Sequence, residues 1–298
     1  MMPSSACAWT HKVARTVRAG AVVSIDSLPF MVFLLLVEFT VGGLLVLYVV
    51  QLRGLVTAGF LKLGAACVLA SNVLAVWVGA ALGRPAEVGG YPLDSGFIVP
   101  AVVALAALLG LVAVYAVALW QERAQAARLS GLVAGTVGLA AIGLTAAVFQ
   151  DPAWSYAGVL LSLLAGGLSL GAVTLGMILG HWYLVTPRLP ERPMNELAVG
   201  LIAVLVAQAA IVLINLLLPV RYSPDAVSGG AHLLQNAAFW LRVGVGLLFP
   251  IALAVMAWRS SIERGMMSAT GLLYIATGAV LAGEALARGL QLTTAIPM

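Results

Sequence analysis

Apolar residues occur along this chain in long runs, and polar residues are concentrated in the short segments between them. A bilayer core needs about 20 apolar residues per helix. Runs of this length recur along the chain and lack the alternation of barrel strands. The pattern therefore predicts an all-α, polytopic transmembrane helical bundle with eight spans, at 28–50, 60–82, 97–120, 129–149, 157–185, 197–219, 233–258 and 266–288.

The same pattern predicts the domain organisation. Residues 1–27 form an N-terminal tail, residues 28–288 a single transmembrane domain, and residues 289–298 a C-terminal tail. The first apolar run, Leu28 to Val50, is longer than the ~7–15 residues of a secretory signal. We therefore expect this run to be retained as a span.

Composition excludes a water-soluble fold, because 62% of the residues are hydrophobic and only 9% are charged, against about 25% charged in soluble domains. The net charge of +4 suits basic loops lying against anionic lipid rather than nucleic acid.

Basic residues are unevenly divided between the two ends of the predicted bundle. The end that carries both termini, which we call the N face, has only Arg84 and Arg221 in its inter-span loops. Basic loops stay cytoplasmic, so we expect an inner-membrane protein with extracytoplasmic termini, although the N-terminal tail carries three basic residues that argue against this. The opposite end, which we call the basic end, holds Arg53, Lys62, Arg123, Arg128, Arg188, Arg192, Arg259 and Arg264.

Ionisable side chains within spans are the candidate functional residues, because each costs about 2.5–3.5 kcal/mol to insert. Glu38 lies ~15 Å below the N face at 1.5 Å per residue. Arg242 lies in the half of the seventh span nearer the same face. Glu284 and Arg288, four residues apart, suit an intrahelical pair. Asn215 shares this half of the membrane, whereas Asn72 and Gln208 lie near its middle.

Two interpretations of these charges stay open. In the structural one, Arg242 pairs with Glu284 to hold two helices together, and Arg288 extends to the headgroups. In the functional one, Glu38 has no cation one turn away in its own helix. An unpaired carboxyl at that depth would keep its proton and suit proton transfer.

Small residues and one proline predict how the helices pack. Gly167 and Gly171 in the fifth span, like Gly176 and Gly180, are four residues apart and permit close helix contact. Pro250 cannot donate to the carbonyl of Gly246 and is expected to kink the seventh span.

His181 ends the fifth run, followed by Trp182 and Tyr183. It lies ~36 Å from Ala157 along the helix, beyond the ~30 Å core, which favours an interfacial histidine beside an aromatic belt over a buried ligand. His232 falls on the opposite face, so the two cannot share a haem. The histidines and cysteines have no zinc or iron–sulfur spacing, and we expect no metal held by this chain.

Three stretches resemble the membrane anchors of dimethyl sulfoxide and polysulfide reductases. They are SLPFMVFLLLVEFTVGGLLVLYVVQLRG, FWLRVGVGLLFPIALAVMAWR and ATGLLYIATGAVLAGEALARGL. The matching features are a Pro-x-hydrophobic-Phe opening with a Gly pair, the seventh-span Arg242, and the Gly283, Glu284 and Arg288 pattern. Where the family's second span often closes with a histidine, this chain has Ala81.

The resemblance implies an eight-span subunit that exchanges electrons between membrane quinone and an iron–sulfur subunit, usually completed by a molybdenum catalytic subunit. Glu38, Arg242, Glu284 and Arg288 would then contact quinone, and loops 84–96 and 221–232 would dock the partner outside. Such an anchor would not catalyse the full reaction alone. The alternatives are a proton- or ion-coupled small-solute transporter with Glu38 as carrier, and a purely structural membrane subunit.

Overall fold

The computed structural model describes residues 25–89, 91–150, 156–186, 189–217, 233–294 and 296–298. Within these ranges, eight helical segments are long and apolar enough to cross a membrane. The predicted all-α, multi-pass fold is therefore confirmed. The helices are α1 (Leu28–Arg53), α2 (Ala58–Ala81), α3 (Ile98–Trp120), α4 (Ala124–Val148), α5 (Tyr156–Val185), α6 (Arg192–Leu217), α7 (Ala237–Val243), α8 (Phe249–Ile262) and α9 (Met266–Thr294).

The seventh span consists of two helices, because a π-helical turn, Gly244–Leu248, separates α7 from α8. Pro250 stands at the start of α8, as expected for a residue with fixed φ and no N–H to donate. A π turn therefore lies just before the proline at which the sequence predicts a kink.

Local sequence explains the connection between α1 and α2. Gly54 ends α1 with φ +66°, a conformation that costs glycine little. Thr57 then caps α2, its side-chain oxygen accepting from the Phe60 N–H at 3.4 Å. These two residues turn the chain back within a few positions, so that α1 and α2 pack side by side.

Three helix ends differ from the predicted spans by five residues or more. Helices α4 and α6 begin at Ala124 and Arg192, earlier than predicted, because polar first turns extend past the apolar run. An Arg192–Glu196 ion pair of 2.8 Å, one turn apart, stabilises this extension of α6. Helix α9 continues to Thr294, and residues 296–298 are buried. The segment predicted as a C-terminal tail therefore belongs to the bundle.

Helices α1 and α5 form the centre of the bundle and pack more extensively on each other than on any other described element. Glycines make this possible: a Cβ at Gly42 would overlap the Gly167 carbonyl, and one at Gly171 would lie 2.6 Å from the Gly42 carbonyl carbon. The predicted close packing of α5 is confirmed. Gly180 likewise admits Thr270 of α9, whose hydroxyl a Cβ there would meet at 2.7 Å.

Ion pairs join the loops at the basic end. Lys62 contacts Glu122 at 3.0 Å, and Arg264 contacts Glu191. These pairs link connections far apart in sequence, so the predicted threading is consistent with the structure. One partner of each pair, Glu122 or Arg264, is well exposed, so each pair contributes little to stability.

The N-face loop between α2 and α3 forms a short hairpin, Glu87–Val88 with Tyr91–Pro92. Tyr91 is buried and its hydroxyl donates to the Phe149 carbonyl, which fixes the hairpin on the bundle. The second loop expected to dock a partner, with Asp225, lies outside the described residues, as do the first 24 residues and His232.

Candidate functional site

The four charged residues singled out from the sequence meet in one cluster within the bundle. Glu38 comes from α1, Arg242 from α7, and Glu284 and Arg288 from α9. Each has a relative exposure of 0%. Charges that remain in a membrane interior must be paired or hydrogen-bonded, and the contacts of the cluster meet this requirement in two linked pairs.

The first pair joins α7 to α9. Arg242 Nη1 lies 3.2 Å from Glu284 Oε1, as the structural interpretation predicted. The same carboxylate oxygen accepts from Gln208 Nε2 at 2.7 Å and from the Ser169 hydroxyl at 3.3 Å. Glu284 is therefore held by side chains from three other helices.

The second pair joins α9 to α1. Arg288 Nε lies 3.2 Å from Glu38 Oε1, and Arg288 Nη2 lies 3.8 Å from Glu284 Oε2. Neither Arg288 Nε nor Glu38 Oε1 has a hydrogen-bond partner among the described residues. The Arg288 Nε–H is therefore not aligned with the Glu38 carboxylate. The contact is thus an ion pair without an aligned hydrogen bond. The sequence of α1 suggested that Glu38 is unpaired, but Arg288 of α9 supplies its cation.

Arg288 does not extend to the headgroups, so that expectation was wrong. Its guanidinium is enclosed by hydrogen-bond acceptors: Nη1 donates to Gln291 Oε1 at 2.5 Å, and Nη2 to the Ser162 hydroxyl at 2.9 Å. Nη2 also donates to the Met298 main-chain carbonyl at 3.1 Å. The buried residues after α9 thereby cover the side of the cluster nearest the N face.

Glycines provide the space for the two carboxylates. A Cβ at Gly166 of α5 would lie 2.6 Å from Glu38 Oε1 and 2.8 Å from Glu284 Oε2. Gly246 and Gly283 face each other so closely that a Cβ on Gly246 would lie 2.6 Å from the Gly283 Cα. The second contact brings the π turn against α9 next to Arg242.

The π turn also shapes the surroundings of Arg242. The Gly246 carbonyl, which Pro250 cannot serve, accepts from Arg242 Nη1 at 3.5 Å. The arginine that pairs with Glu284 therefore also donates to this carbonyl. Single π turns inside α-helices frequently mark functional sites.

Several polar atoms of the cluster are buried without a hydrogen-bond partner in the described part of the chain. The donors among them are Arg242 Nε and Nη2, Arg288 Nε, and Gln291 Nε2, and the acceptors are both Glu38 oxygens, Gln208 Oε1 and Glu284 Oε2. Unpaired buried polar groups are costly, so this cluster offers donors and acceptors that a bound polar group could satisfy.

The other polar residues near mid-membrane have different fates. Gln208 joins the cluster. Asn72 is buried on α2, and its amide donates to the Leu105 carbonyl of α3 and accepts from the Leu109 N–H. The Asn215 side chain lies outside the part of the chain that the structure describes.

His181 is exposed near the end of α5, consistent with the interfacial interpretation. Trp182 is half-buried against Gly59, and Tyr183 is buried, donating to the Pro190 carbonyl. Tyr183, which the sequence predicts as part of an aromatic belt pair with Trp182, packs inside the bundle and not on its surface. No group of three histidine, cysteine or acidic residues suited to a metal occurs in the described ranges.

Sequence reasoning missed four contributors to the site: Ser162, Ser169, Gly166 and Gln291. Ser162 and Ser169 lie two helical turns apart on one face of α5, and Gln291 follows Arg288 by three positions, so helical spacing could have identified them. The position of Gly166 between two carboxylates depends on how three helices pack, and no sequence signal identifies it.

Chemically, the cluster combines two carboxylates and two guanidinium groups at low dielectric, with unused donors beside unused acceptors. Such a group can bind a polar ligand, stabilise charge that develops on it, or exchange protons with it.

In sequence comparisons, the chain matches no protein-family model and no curated protein.

Proposed function

We propose that this chain is the membrane anchor and quinone-interacting subunit of a respiratory redox complex, passing electrons between membrane quinone and an iron–sulfur partner. The single observation that carries the proposal is the meeting of Glu38, Arg242, Glu284 and Arg288 in one buried cluster. Arg242, Glu284 and Arg288 are among the residues that carry the resemblance to reductase anchors, and Glu38 lies in the first matching stretch.

The unpaired atoms of the cluster fit a quinone. A quinone site needs donors to two carbonyl oxygens and a group that exchanges protons. Arg242 Nε and Nη2 and Gln291 Nε2 donate no hydrogen bond in the described part of the chain, and neither Glu38 oxygen accepts one there, although Oε1 is ion-paired with Arg288. The arginines would orient the ring by its carbonyls, and the carboxylates would accept the protons that leave a quinol.

Access for a lipid-soluble ligand is supported at α7. Arg242 itself is buried, but Trp240 and Leu241 beside it are 57% and 51% exposed on the lipid-facing side. The π turn Gly244–Leu248 follows directly after α7, so the helix is irregular beside this exposed surface. Quinol oxidation releases two protons and two electrons, and in this proposal the iron–sulfur partner takes the electrons.

Quinone binding is tested with the purified full-length chain in nanodiscs, using decylubiquinone and a short-chain menaquinone as probes and quenching of tryptophan fluorescence as the readout. Arg242→Lys keeps the charge but loses the planar donor fork, and we expect its affinity for both probes to fall about tenfold or more. Arg259→Lys is the matched control, an exposed arginine at the other end of the same span. Equal binding by both variants would contradict the quinone site.

Partner docking is tested separately by isolating a tagged chain from the membranes of its own host in mild detergent. The expected product is a complex with iron and acid-labile sulfide, detected by its electron paramagnetic resonance signal after reduction. A homogeneous lone chain without an iron–sulfur partner would count decisively against the anchor.

A proton- or ion-coupled transporter is the second candidate, favoured by one observation: the π turn breaks the seventh span beside the charged cluster, as broken helices do at transporter sites. Solute flux into proteoliposomes that is abolished by Glu38→Gln, with quinone binding absent, would establish this alternative.

A further inference from the structure

A second candidate site lies toward the basic end of the bundle, where Arg53 and Glu196 line a cavity. A cavity of about 530 Å³ is bounded by α1, α5 and α6, within the ~300–1,000 Å³ of small-molecule pockets. Its walls are almost entirely aliphatic, formed by residues such as Val46, Val49, Leu168, Ala172 and Val204. It is distinct from the proposed quinone site and takes a different ligand.

The mouth of this cavity is basic. Arg53 and Glu196 line it, and the Glu196 carboxylate contacts two arginines, Arg53 at 3.7 Å and Arg192 at 2.8 Å. Two cations share one anion, which leaves a net charge of +1. Both arginine side chains are mostly exposed, at 59% and 67%, so they can reach a further anion.

We propose that the cavity binds one acyl chain of an anionic phospholipid, with the phosphate held by Arg53 and Arg192. Basic pockets between transmembrane helices bind anionic lipid headgroups. The cavity extends along α1 from Arg53 to Leu45, ~12 Å at 1.5 Å per residue, which gives an acyl chain an apolar wall below the charged mouth.

Charge complementarity selects this occupant over two others. A neutral quinone carries no anion for the two arginines. A zwitterionic lipid adds a quaternary ammonium group, and the only carboxylate that lines the cavity in the described part of the chain, Glu196, is already shared by two arginines.

Gly200 allows the cavity to be filled without disturbing the fold. It lines the cavity, and a Cβ there would meet no atom within 4 Å. Gly200→Leu therefore places a side chain into the space the lipid would use. Gly278→Leu is the matched control: its Cβ is equally free of contacts, and it is exposed on α9, outside the cavity.

The experiment is native mass spectrometry of the full-length chain in detergent, with phosphatidylglycerol or phosphatidylcholine added in equal amounts. We expect the wild type and Gly278→Leu to retain phosphatidylglycerol preferentially, and Gly200→Leu to lose it. Unchanged phosphatidylglycerol retention in Gly200→Leu would overturn the cavity as the site. Equal retention of both lipids by the wild type, or displacement of phosphatidylglycerol by decylubiquinone, would overturn the anionic lipid as the occupant.

A charge variant makes the test independent of cavity filling. Arg53→Gln leaves the mouth with Arg192 and Glu196 and no net charge. Loss of one surface arginine should weaken phosphatidylglycerol binding about fivefold and leave phosphatidylcholine binding unchanged. Arg259→Gln removes an exposed arginine away from the cavity and is the control. An equal effect of both variants would show a general surface attraction and overturn the proposed headgroup contact.

Discussion

Buried charge is the dominant feature of this protein at the residue scale. Glu38, Arg242, Glu284 and Arg288 cost free energy to bury, and each is held by partners from other helices. A buried pair is weak evidence for net stability, but loss of one partner leaves the other charge uncompensated. The energetic consequence is therefore clearest when one member of a pair is removed.

Arg242→Met should lower the free energy of unfolding by about 3–5 kcal/mol, because Glu284 loses its closest cation. The double variant Arg242→Met with Glu284→Met should recover much of this loss, since the pair disappears together. Reversible unfolding in mixed micelles with increasing SDS measures both. Arg259→Met, at an exposed site, should change stability by less than about 0.5 kcal/mol. If the stability losses of the single variants Arg242→Met and Glu284→Met add up to that of the double variant, the two residues do not interact.

Gly166→Ala tests whether the carboxylates occupy the space beside α5. The new methyl group would lie 2.6 Å from Glu38 Oε1 and 2.8 Å from Glu284 Oε2, so the acids must shift, at a cost of about 1–3 kcal/mol. Gly278→Ala, where a Cβ meets nothing within 4 Å, should be neutral or slightly stabilising. The same SDS titration compares the two, and equal stability would refute the crowded arrangement.

At the element scale, the crossing of α1 and α5 positions the site. Gly42 and Gly167 let the two backbones touch, which places Glu38 beside Gly166. Lipid offers no hydrophobic driving force for helix association, so packing of this kind supplies much of it. The crossing should therefore tolerate no added methyl group at Gly42.

Gly42→Ala should prevent normal assembly of the bundle, because its Cβ would overlap the Gly167 backbone and neither helix can yield without moving the core. The fraction of monodisperse protein on size exclusion and its thermal midpoint measure the effect. Gly135→Ala is the control within the same core, since its Cβ would meet only the Leu45 side chain at 3.5 Å. Comparable yields and midpoints for both variants would contradict the tight crossing.

The elements themselves were predictable, because lipid imposes a minimum apolar length on every span. The four charged residues were predictable for the same reason, since charge inside an apolar run is conspicuous. The partners of Arg288 were not: its position at the end of the predicted eighth span suggested the headgroups, and only the fold places Ser162 and Glu38 around it. The polar first turn of α6 was missed because Arg192 and Glu196 resemble a loop until their pairing is seen.

At the scale of the whole molecule, the two ends of the bundle differ in character. The half near the N face holds the buried ionic cluster, and the basic end holds exposed arginines around an apolar cavity. The proposed electron transfer requires the cluster to lie nearer the compartment where the iron–sulfur partner docks. The proposed lipid contact requires the basic end to meet an anionic leaflet, such as the cytoplasmic one.

A partner that docks outside the cytoplasm and a lipid contact in the cytoplasmic leaflet together require the basic end to face the cytoplasm, as its excess of arginine and lysine predicts. Single cysteines introduced at Glu87, in the N-face hairpin, and at Gln121, at the basic end, report this orientation because both positions are exposed. With Cys7 and Cys67 replaced by serine, a membrane-impermeant maleimide should label Glu87→Cys in intact cells and Gln121→Cys only after permeabilisation. The reverse pattern would place the charged cluster near the cytoplasm, so that an iron–sulfur partner would have to dock inside the cell and the lipid site would face the outer leaflet.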